Sequence, residues 1–435
     1  MYEPDVLVIG GGPAGVAAAT ELAMLGLTVL LAEQRDRLGG AIHRAYAGPG
    51  KNPLKVLSRH SNNWKFLTQR LLQAGPQITT LFETIYLGVD GEGRFLLDQR
   101  AAGRVVSVRP KALVLALGAL EIVLPRPGWE LPGVTTVGGM QVQLKETGQA
   151  PVGSILLAGN GPLPLALAAQ LTAAGNPPVA VLERSQPFRA AFRHAVSAVN
   201  SLRSWGNVSE AAGYTLRLWR AGVPYQTGST VTAIEAGPQG LRVTSQLANG
   251  VSRQHQVRHL ALHDGLASNN RGLPAGDLAH VYVVRAGDCR EVLGAGGALT
   301  DGRRAAHQVA QHLDLSAKPA SFESRLGAAR RTQQALAVLG QAPAMVPVSE
   351  TVICRCEGLR RADFEALQGA SSTREVRLVG RFGMGLCQGR FCARAVQAMA
   401  AQAPLPFETG DLGSSQPRWP LRPVSVASLA AYKSI

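Results

Sequence analysis

The stretch from Val6 to Glu33 constrains this chain more than any other. Val6 to Ile9 is an apolar run that stops at Gly10, Gly12 and Gly15 in G-x-G-x-x-G spacing, and an Ala-rich segment then leads to a second apolar run ending at Glu33. Strand, glycine turn, helix, strand and acid in that order predict a whole βαβ unit. Gly10 permits the tight turn, Gly12 leaves room for a pyrophosphate beside the backbone, Pro13 and Ala14 open the helix, and Gly15 lets helix and strand pack closely. The helix N-terminus offers free N–H groups to an anion, and Glu33 stands where a carboxylate accepts hydrogen bonds from an adenosine ribose. A bound dinucleotide is the expectation, and an ordinary βα turn without ligand is the alternative. The motif falls within the first dozen residues, as in FAD enzymes that open with their flavin site.

The pattern begins again at Ser154, where SILLAGNGPLPLALAAQLTAAG is followed by VAVLE ending in Glu183. Gly159 and Gly161 hold the first two glycine positions, but Pro164 takes the third. Proline in a first helical turn is tolerated, so the fold is expected to survive while nicotinamide binding is put in doubt. A second nucleotide, NAD(P)H or ATP, held by Gly159, Gly161 and Glu183 and a scaffold that binds nothing both stay open. Between the two motifs, Gly39 and Gly40 form a loop able to pass close to a flavin diphosphate or ribityl chain. Leu113 to Leu117 reads as a buried parallel strand, with the small residues Ala116 and Gly118 where the chain would cross the cofactor. The Pro/Gly-rich stretch Pro125 to Val134 reads as a crossing into a second domain.

Phe188, Phe192, Val196 and Val199, and then Tyr214, Leu218 and Trp219, recur at helical spacing and are expected in the core. The chain returns with a strand at Val281 to Val284 that runs into Gly287 and Asp288, ahead of a helix from about Leu299. Asp288 is expected to bind a ribityl hydroxyl or, more simply, to cap that helix. Cys289 beside it reads as a small packed residue.

Four of the five cysteines crowd into the last fifth of the chain. Cys354 and Cys356, in ICRCEG, and Cys387 and Cys392, in GLCQGRFC, make a ligand set for iron–sulfur or zinc, with four unliganded thiols as the remaining alternative. C-x-C is tight for one tetrahedral ion and suits a two-iron cluster better. Arg355, Arg381, Arg390 and Arg394 are expected to offset the charge of the thiolates and favour the reduced state. The fold class expected is therefore α/β, with two dinucleotide-binding domains of glutathione-reductase type and a small helical cluster domain. The first spans 1–124 and 256–315, and the second, 125–255, is inserted in it. A linker at 316–345, the cysteine domain at 346–403 and a Pro-rich C-terminal arm at 404–435, laid on another subunit or disordered, complete the chain.

A formal charge of +15 carried mostly by arginine fits an acidic partner, an anionic membrane surface or a merely solvated face. The arginines are dispersed and no nucleic-acid motif accompanies them, so nucleic acid is not expected. No charge-free run approaches the ~20 residues of a membrane span, which makes a cytoplasmic protein the expectation.

Taken together, GGGPAG, GWELPGV, AGNGPLPLALAAQL, the GDC return and CRCE with GMGLCQGRFC resemble the FAD and 2Fe-2S subunit of heteromeric bacterial dehydrogenases. These are the opine (octopine and nopaline) dehydrogenases, hydrogen cyanide synthase and D-hydroxyproline dehydrogenase. The cysteine region is similar to the bacterioferritin-associated ferredoxin (BFD) module. The resemblance implies FAD on Gly10, Gly12, Gly15, Glu33, Gly40, Gly118 and Asp288, and a 2Fe-2S cluster on the four cysteines. It implies a flavin-bearing, amine-oxidising partner subunit, a small third subunit being a further option, and a quinone or other electron acceptor, with peripheral attachment to the inner membrane as an option. No catalytic acid or base is expected in this chain. A self-sufficient NAD(P)H-dependent reductase and a non-catalytic assembly subunit stand as the competing readings. Ala41, in place of the Gln usual after the glycine pair, and Leu117, in place of the usual Thr, depart from the pattern near the expected flavin. The stretch from Leu266 to His280 is also shorter than in its relatives.

Overall fold

The structure is a computed structural model that describes residues 1–48, 54, 58–193, 205–238, 240–274, 276–278, 280–315, 322–367, 369–370, 372–402 and 418–432. Val6–Ile9 is a fully buried strand, as an unbroken apolar run should be when both faces of a parallel sheet are covered. It lies at the centre of five parallel strands, in the order Tyr282–Arg285, Ala112–Leu115, Val6–Ile9, Val29–Ala32 and Ile78–Leu81. One face is covered by the helices Pro13–Met24 and Gly294–His312, the other by an antiparallel meander over Thr84–Val108. The two helices touch backbone to backbone, since a Cβ at Gly302 would strike the carbonyl of Ala14.

The second half repeats the plan. Tyr225–Thr227, Ala180–Glu183, Ile155–Gly159, His259–His263 and Val134–Thr136 form a second five-stranded parallel sheet, with its own meander over Ser229–Val257. Its return point lies later than the sequence suggests. His259–His263 pairs with Ile155–Gly159, so the second domain runs past 255 to His263, its interior histidine-flanked strand hidden in a stretch that reads as polar.

Both crossings between the domains run through one two-stranded ribbon, Ala119–Ile122 against Gly265–Ser268. Beside it Asp264 is fully buried and pairs with Arg126 and, at 2.9 Å, with Arg184. It also accepts the N–H of Leu124 at 2.8 Å. Arg184 reaches on to the carbonyl of Pro343 at 2.7 Å, which ties the linker after helix Phe322–Leu339 to the same point.

Three expectations need correcting. The helix expected from Leu299 begins at Gly294, because packing against Leu293 and Ala329 overrides the weak propensity of its glycines. Phe188 and Phe192 are 71% and 93% exposed and Trp219 is 75% exposed, so the aromatic stripes are not core. In helix Pro187–Arg193 the half-buried positions are Pro187, Ala190 and Ala191, small residues that let it lie close against helix Phe322–Leu339. Leu218 alone of the second stripe is fully buried, and Val196 and Val199 lie outside the described residues.

The C-terminal stretch is likewise no free arm over its described part, 418–432. Leu421 donates its N–H to Leu87 at 2.9 Å, and Val424, Leu429 and Tyr432 cover the apolar face of the first meander. The part expected from Pro404 to 417 lies outside the described residues. Among the described residues no helix is long and apolar enough to cross a membrane.

Removing one partner of a buried ion pair strands the other charge. Asp264→Ala should cost about 3–5 kcal/mol, read as a lower midpoint in urea unfolding. Lys111→Ala, which removes an exposed pair with Asp5, should leave the midpoint nearly unchanged.

Candidate functional site

The first glycine turn is held by backbone contacts that admit no side chain. Gly10 adopts φ of +106°, and a Cβ there would strike the carbonyl of Ala116; a Cβ at Gly15 would strike the carbonyl of Gly10. Gly12 is the N-cap of helix Pro13–Met24, and no side chain caps it. Across from it sits Gly40, whose added Cβ would come 3.0 Å from the Cα of Gly12, while Gly39 donates to the carbonyl of Gly11 at 2.8 Å. The two glycine segments thus make a narrow, side-chain-free wall in front of uncapped N–H groups, the arrangement that suits a pyrophosphate. Beyond it the space in front of Gly118 is open. Lys145 fixes the loop at its edge by donating to the carbonyls of Ala41 at 3.2 Å and Ile42 at 3.3 Å, and burial pulls its ammonium down to about 8.

Glu33 is buried at the end of its strand, where it accepts from the N–H of Gly11 at 2.6 Å and of Arg35 at 3.0 Å. Burial pushes its carboxyl upward against those hydrogen bonds. Asp288 lies just after strand Tyr282–Arg285 and accepts at 3.0 Å from the N–H of Leu293, the residue ahead of helix Gly294–His312. Cys289 is buried and packed, as expected.

Sequence reasoning missed Asp301. Two turns inside the same helix, it accepts from Gly287 at 2.7 Å, from Arg290 at 2.6 and 3.0 Å, and from Arg304 at 2.6 Å. It therefore holds the Gly287–Asp288 bend in place. The only sequence signal is the arginine three residues on, too common to stand out.

The second motif is built differently. Helix Pro162–Ala173 has prolines at its first and third positions, so two of the N–H groups an anion would use are missing. The N–H of Gly161 is taken by Glu183 at 3.1 Å, and Glu183 also binds Ser185 at 2.7 Å. A Cβ at Gly159 would strike the carbonyl of His263, so this glycine serves strand packing. Over the turn runs the linker: Asn160 donates to the carbonyl of Gly340 at 2.7 Å.

Cys354 and Cys392 are buried in a small core with Ile353, Phe364, Val376, Phe382 and Val396, and Cys356 and Cys387 lie outside it. None is in a disulfide. Cys392 hydrogen-bonds Cys354, pulling the Cys354 thiol down to about 6, and Cys356 hydrogen-bonds Cys387. The first pair is buried; in the second, Cys356 is exposed and Cys387 half-buried. Among the described residues no three of His, Cys, Asp or Glu close on a point as a single ion requires.

The arginines expected to offset the thiolates are mostly engaged elsewhere. Arg355 lies over the ring of Trp129 at 5.0 Å, Arg381 pairs with Glu357 at 2.6 Å, and Arg390 donates to the carbonyl of Leu421 at 3.2 Å. A cavity of about 1010 Å³ opens between this unit and the interdomain ribbon, and Cys356, Arg271, Arg285 and Arg394 line it.

Residues 4–282 match the family described as pyridine nucleotide-disulphide oxidoreductase. Along its length the chain is similar to an opine oxidase subunit of Agrobacterium tumefaciens (strain Ach5), 31% identical over 98% of this chain and 91% of that one. It is similar also to hydrogen cyanide synthase subunit HcnB of Pseudomonas aeruginosa, 30% identical over 96% of each. Among solved structures it is similar to L-proline dehydrogenase from P. horikoshii, with a TM-score of 0.65 over 98% of this chain and 79% of that one; at 18% identity this is a likeness of fold.

Burial pushes the Asp301 carboxyl up, but the hydrogen bonds from Arg290 and Arg304 outweigh it and hold the group below its ordinary 3.8. Its stabilising contribution is complete above that value and lost as pH falls through the folded-state pKa. Asp301→Asn should flatten the acid limb of stability, measured by urea unfolding as pH falls below about 4.

Proposed function

The chain belongs to the family of hydrogen cyanide synthase subunit HcnB and its opine oxidase counterpart, and from that premise we propose that it is the electron-transferring flavin and iron–sulfur subunit of a heteromeric amine dehydrogenase. A flavin-bearing partner subunit, joined in some assemblies by a small third one, oxidises an amino acid or an opine-like secondary amine. This subunit carries the electrons to a quinone or similar acceptor. The complex is cytoplasmic, with peripheral attachment to the inner membrane where a quinone is the acceptor.

The observation that carries the reading is the disposition of the cysteines. Two facing pairs, Cys354 with Cys392 and Cys356 with Cys387, fit two irons taking two thiolates each, as in a BFD-like 2Fe-2S domain, better than one zinc ion with four thiolates around it. One pair is buried and the other reaches the surface, so such a centre would face both the interior and a docking partner. FAD fits the first domain for a reason of space: the wall of Gly12 and Gly40 admits a diphosphate, Glu33 lies in reach of a ribose, and the open region at Gly118 leaves room for a ring system. Bound there, FAD exchanges electrons in twos or singly, and a two-iron cluster takes one at a time. The chain's own residues contribute position and charge. Asp301 fixes the bend that carries Asp288, and the helix Gly294–His312 directs its N-terminal dipole at the same end of the sheet.

The rival NAD(P)H-dependent reductase would need its nucleotide at Gly159, Gly161 and Glu183. Missing N–H groups at Pro162 and Pro164, and a linker carbonyl already bound to Asn160, speak against that site.

The complex purified anaerobically should show flavin and 2Fe-2S absorption, and Cys356→Ser should lose the iron while keeping FAD. Addition of NADH in a stopped-flow instrument should leave the flavin unbleached over about a second, a time in which turnover at a typical ~10 per second would reduce it. Turnover of an amino acid by this chain without its partner would refute the relay assignment.

A further inference from the structure

The end of the first sheet and the cysteine unit are joined by a short run of chain, Asn269 to Arg271. Asn269 is fixed at one end. Its N–H donates to the carbonyl of Gly118 at 3.0 Å, its Nδ2 donates to the carbonyl of Leu117 at 3.2 Å, and its own carbonyl accepts from Cys289 at 3.5 Å. Two residues on, Arg271 donates from Nε to the carbonyl of Gln388 at 3.1 Å. Its Nη2 lies close against Gly389, where a Cβ would come within 2.8 Å of it. The same side chain lines a small cleft with Phe382, Gly383 and Cys392, and Cys392 and Cys387 are the acidic groups that act on it.

Two other hydrogen bonds hold this cysteine loop to the first domain's side of the molecule, Gln388 to the carbonyl of Pro420 at 3.0 Å and Arg390 to that of Leu421 at 3.2 Å. Both end on the C-terminal stretch. Among the described contacts of the loop 387–392, the one from Arg271 leads directly to the strand end at Gly118.

We propose that Arg271 is a positioning residue that couples the two redox sites, holding the Cys387–Cys392 loop at the flavin end of the first sheet and placing a half-buried cation against the thiolates. This rests on the reading that the four cysteines carry a 2Fe-2S centre. Reduction of such a centre adds negative charge, so a fixed cation beside its ligands raises its reduction potential. Arginine suits the place better than lysine because its fork donates from Nε to a carbonyl while its far end passes close to a glycine.

The test is an EPR-monitored redox titration of the full complex, with iron and FAD contents measured first. Absence of iron from the wild-type protein would sink the cluster reading itself and is distinguished at that step. With both groups present, Arg271→Gln should shift the reduction equilibrium about tenfold toward the oxidised form, or about 59 mV more negative for a one-electron centre, and Arg271→Lys should recover most of that shift. Arg374→Gln, on the exposed side of the same unit, should leave the midpoint unchanged. Asn269→Ala keeps the cation and both backbone hydrogen bonds but removes the Nδ2 bond to Leu117 and so loosens the tether, which should slow flash-induced electron equilibration between flavin and cluster without moving the midpoint. An unchanged midpoint in an iron-containing Arg271→Gln protein, an equal shift in Arg271→Lys, or an unaltered equilibration rate in Asn269→Ala would overturn the proposal.

Discussion

Much of this structure depends on one buried carboxylate. Asp264 joins the two crossings of the chain between its sheets, through Leu124 and Arg126 on one side and Arg184 on the other, and through Arg184 it also fixes the linker at Pro343. A buried ion group of this kind contributes little net stability, because desolvating three charges costs about as much as their attraction returns. Its effect is geometric. A ribbon of two strands would otherwise be a hinge, and the carboxylate sets the angle at which the second sheet and the cysteine unit meet the first.

How much is legible in the sequence follows from how local each signal is. The first βαβ unit can be read because Gly10, Gly12, Gly15 and Glu33 fall within one short stretch and each answers a steric or hydrogen-bonding need of that same stretch. The four cysteines can be read as two pairs. What they face cannot. Arg271 reaches Gln388 across more than a hundred residues, and nothing in the sequence around either marks the contact. Asp264 is silent in the sequence for the same reason, since Arg126 is brought to it by the fold, whereas the partners of Asp301 are near in sequence but too ordinary in type and spacing to stand out. The aromatic stripes mislead for a different cause. Helical spacing shows that residues share a face but not which way the face points, and alanines at 190 and 191 let helix Pro187–Arg193 approach its neighbour with the phenylalanines outward.

The two halves show how one supersecondary plan diverges by small changes. Both have the parallel sheet, the meander and an acid at the end of the second strand. In the first, the helix start lacks only the N–H of Pro13 and faces glycines; in the second, two prolines each remove an N–H and a linker carbonyl is bound at the turn. The strands that pack the sheet are unaffected by either change. Local chemistry at one turn can thus be altered while the scaffold persists, because the core packing and the anion-binding groups draw on different atoms.

The described C-terminal stretch carries a consequence for biogenesis. Val424, Leu429 and Tyr432 close the apolar face of strands in the Thr84–Val108 meander, and Leu421 pairs with Leu87. On the ribosome those strands emerge long before the residues that cover them, so the meander waits, with a greasy surface showing, until residues 421–432 have emerged. Completion of the first domain therefore comes only once residues 421–432 have folded back onto the meander.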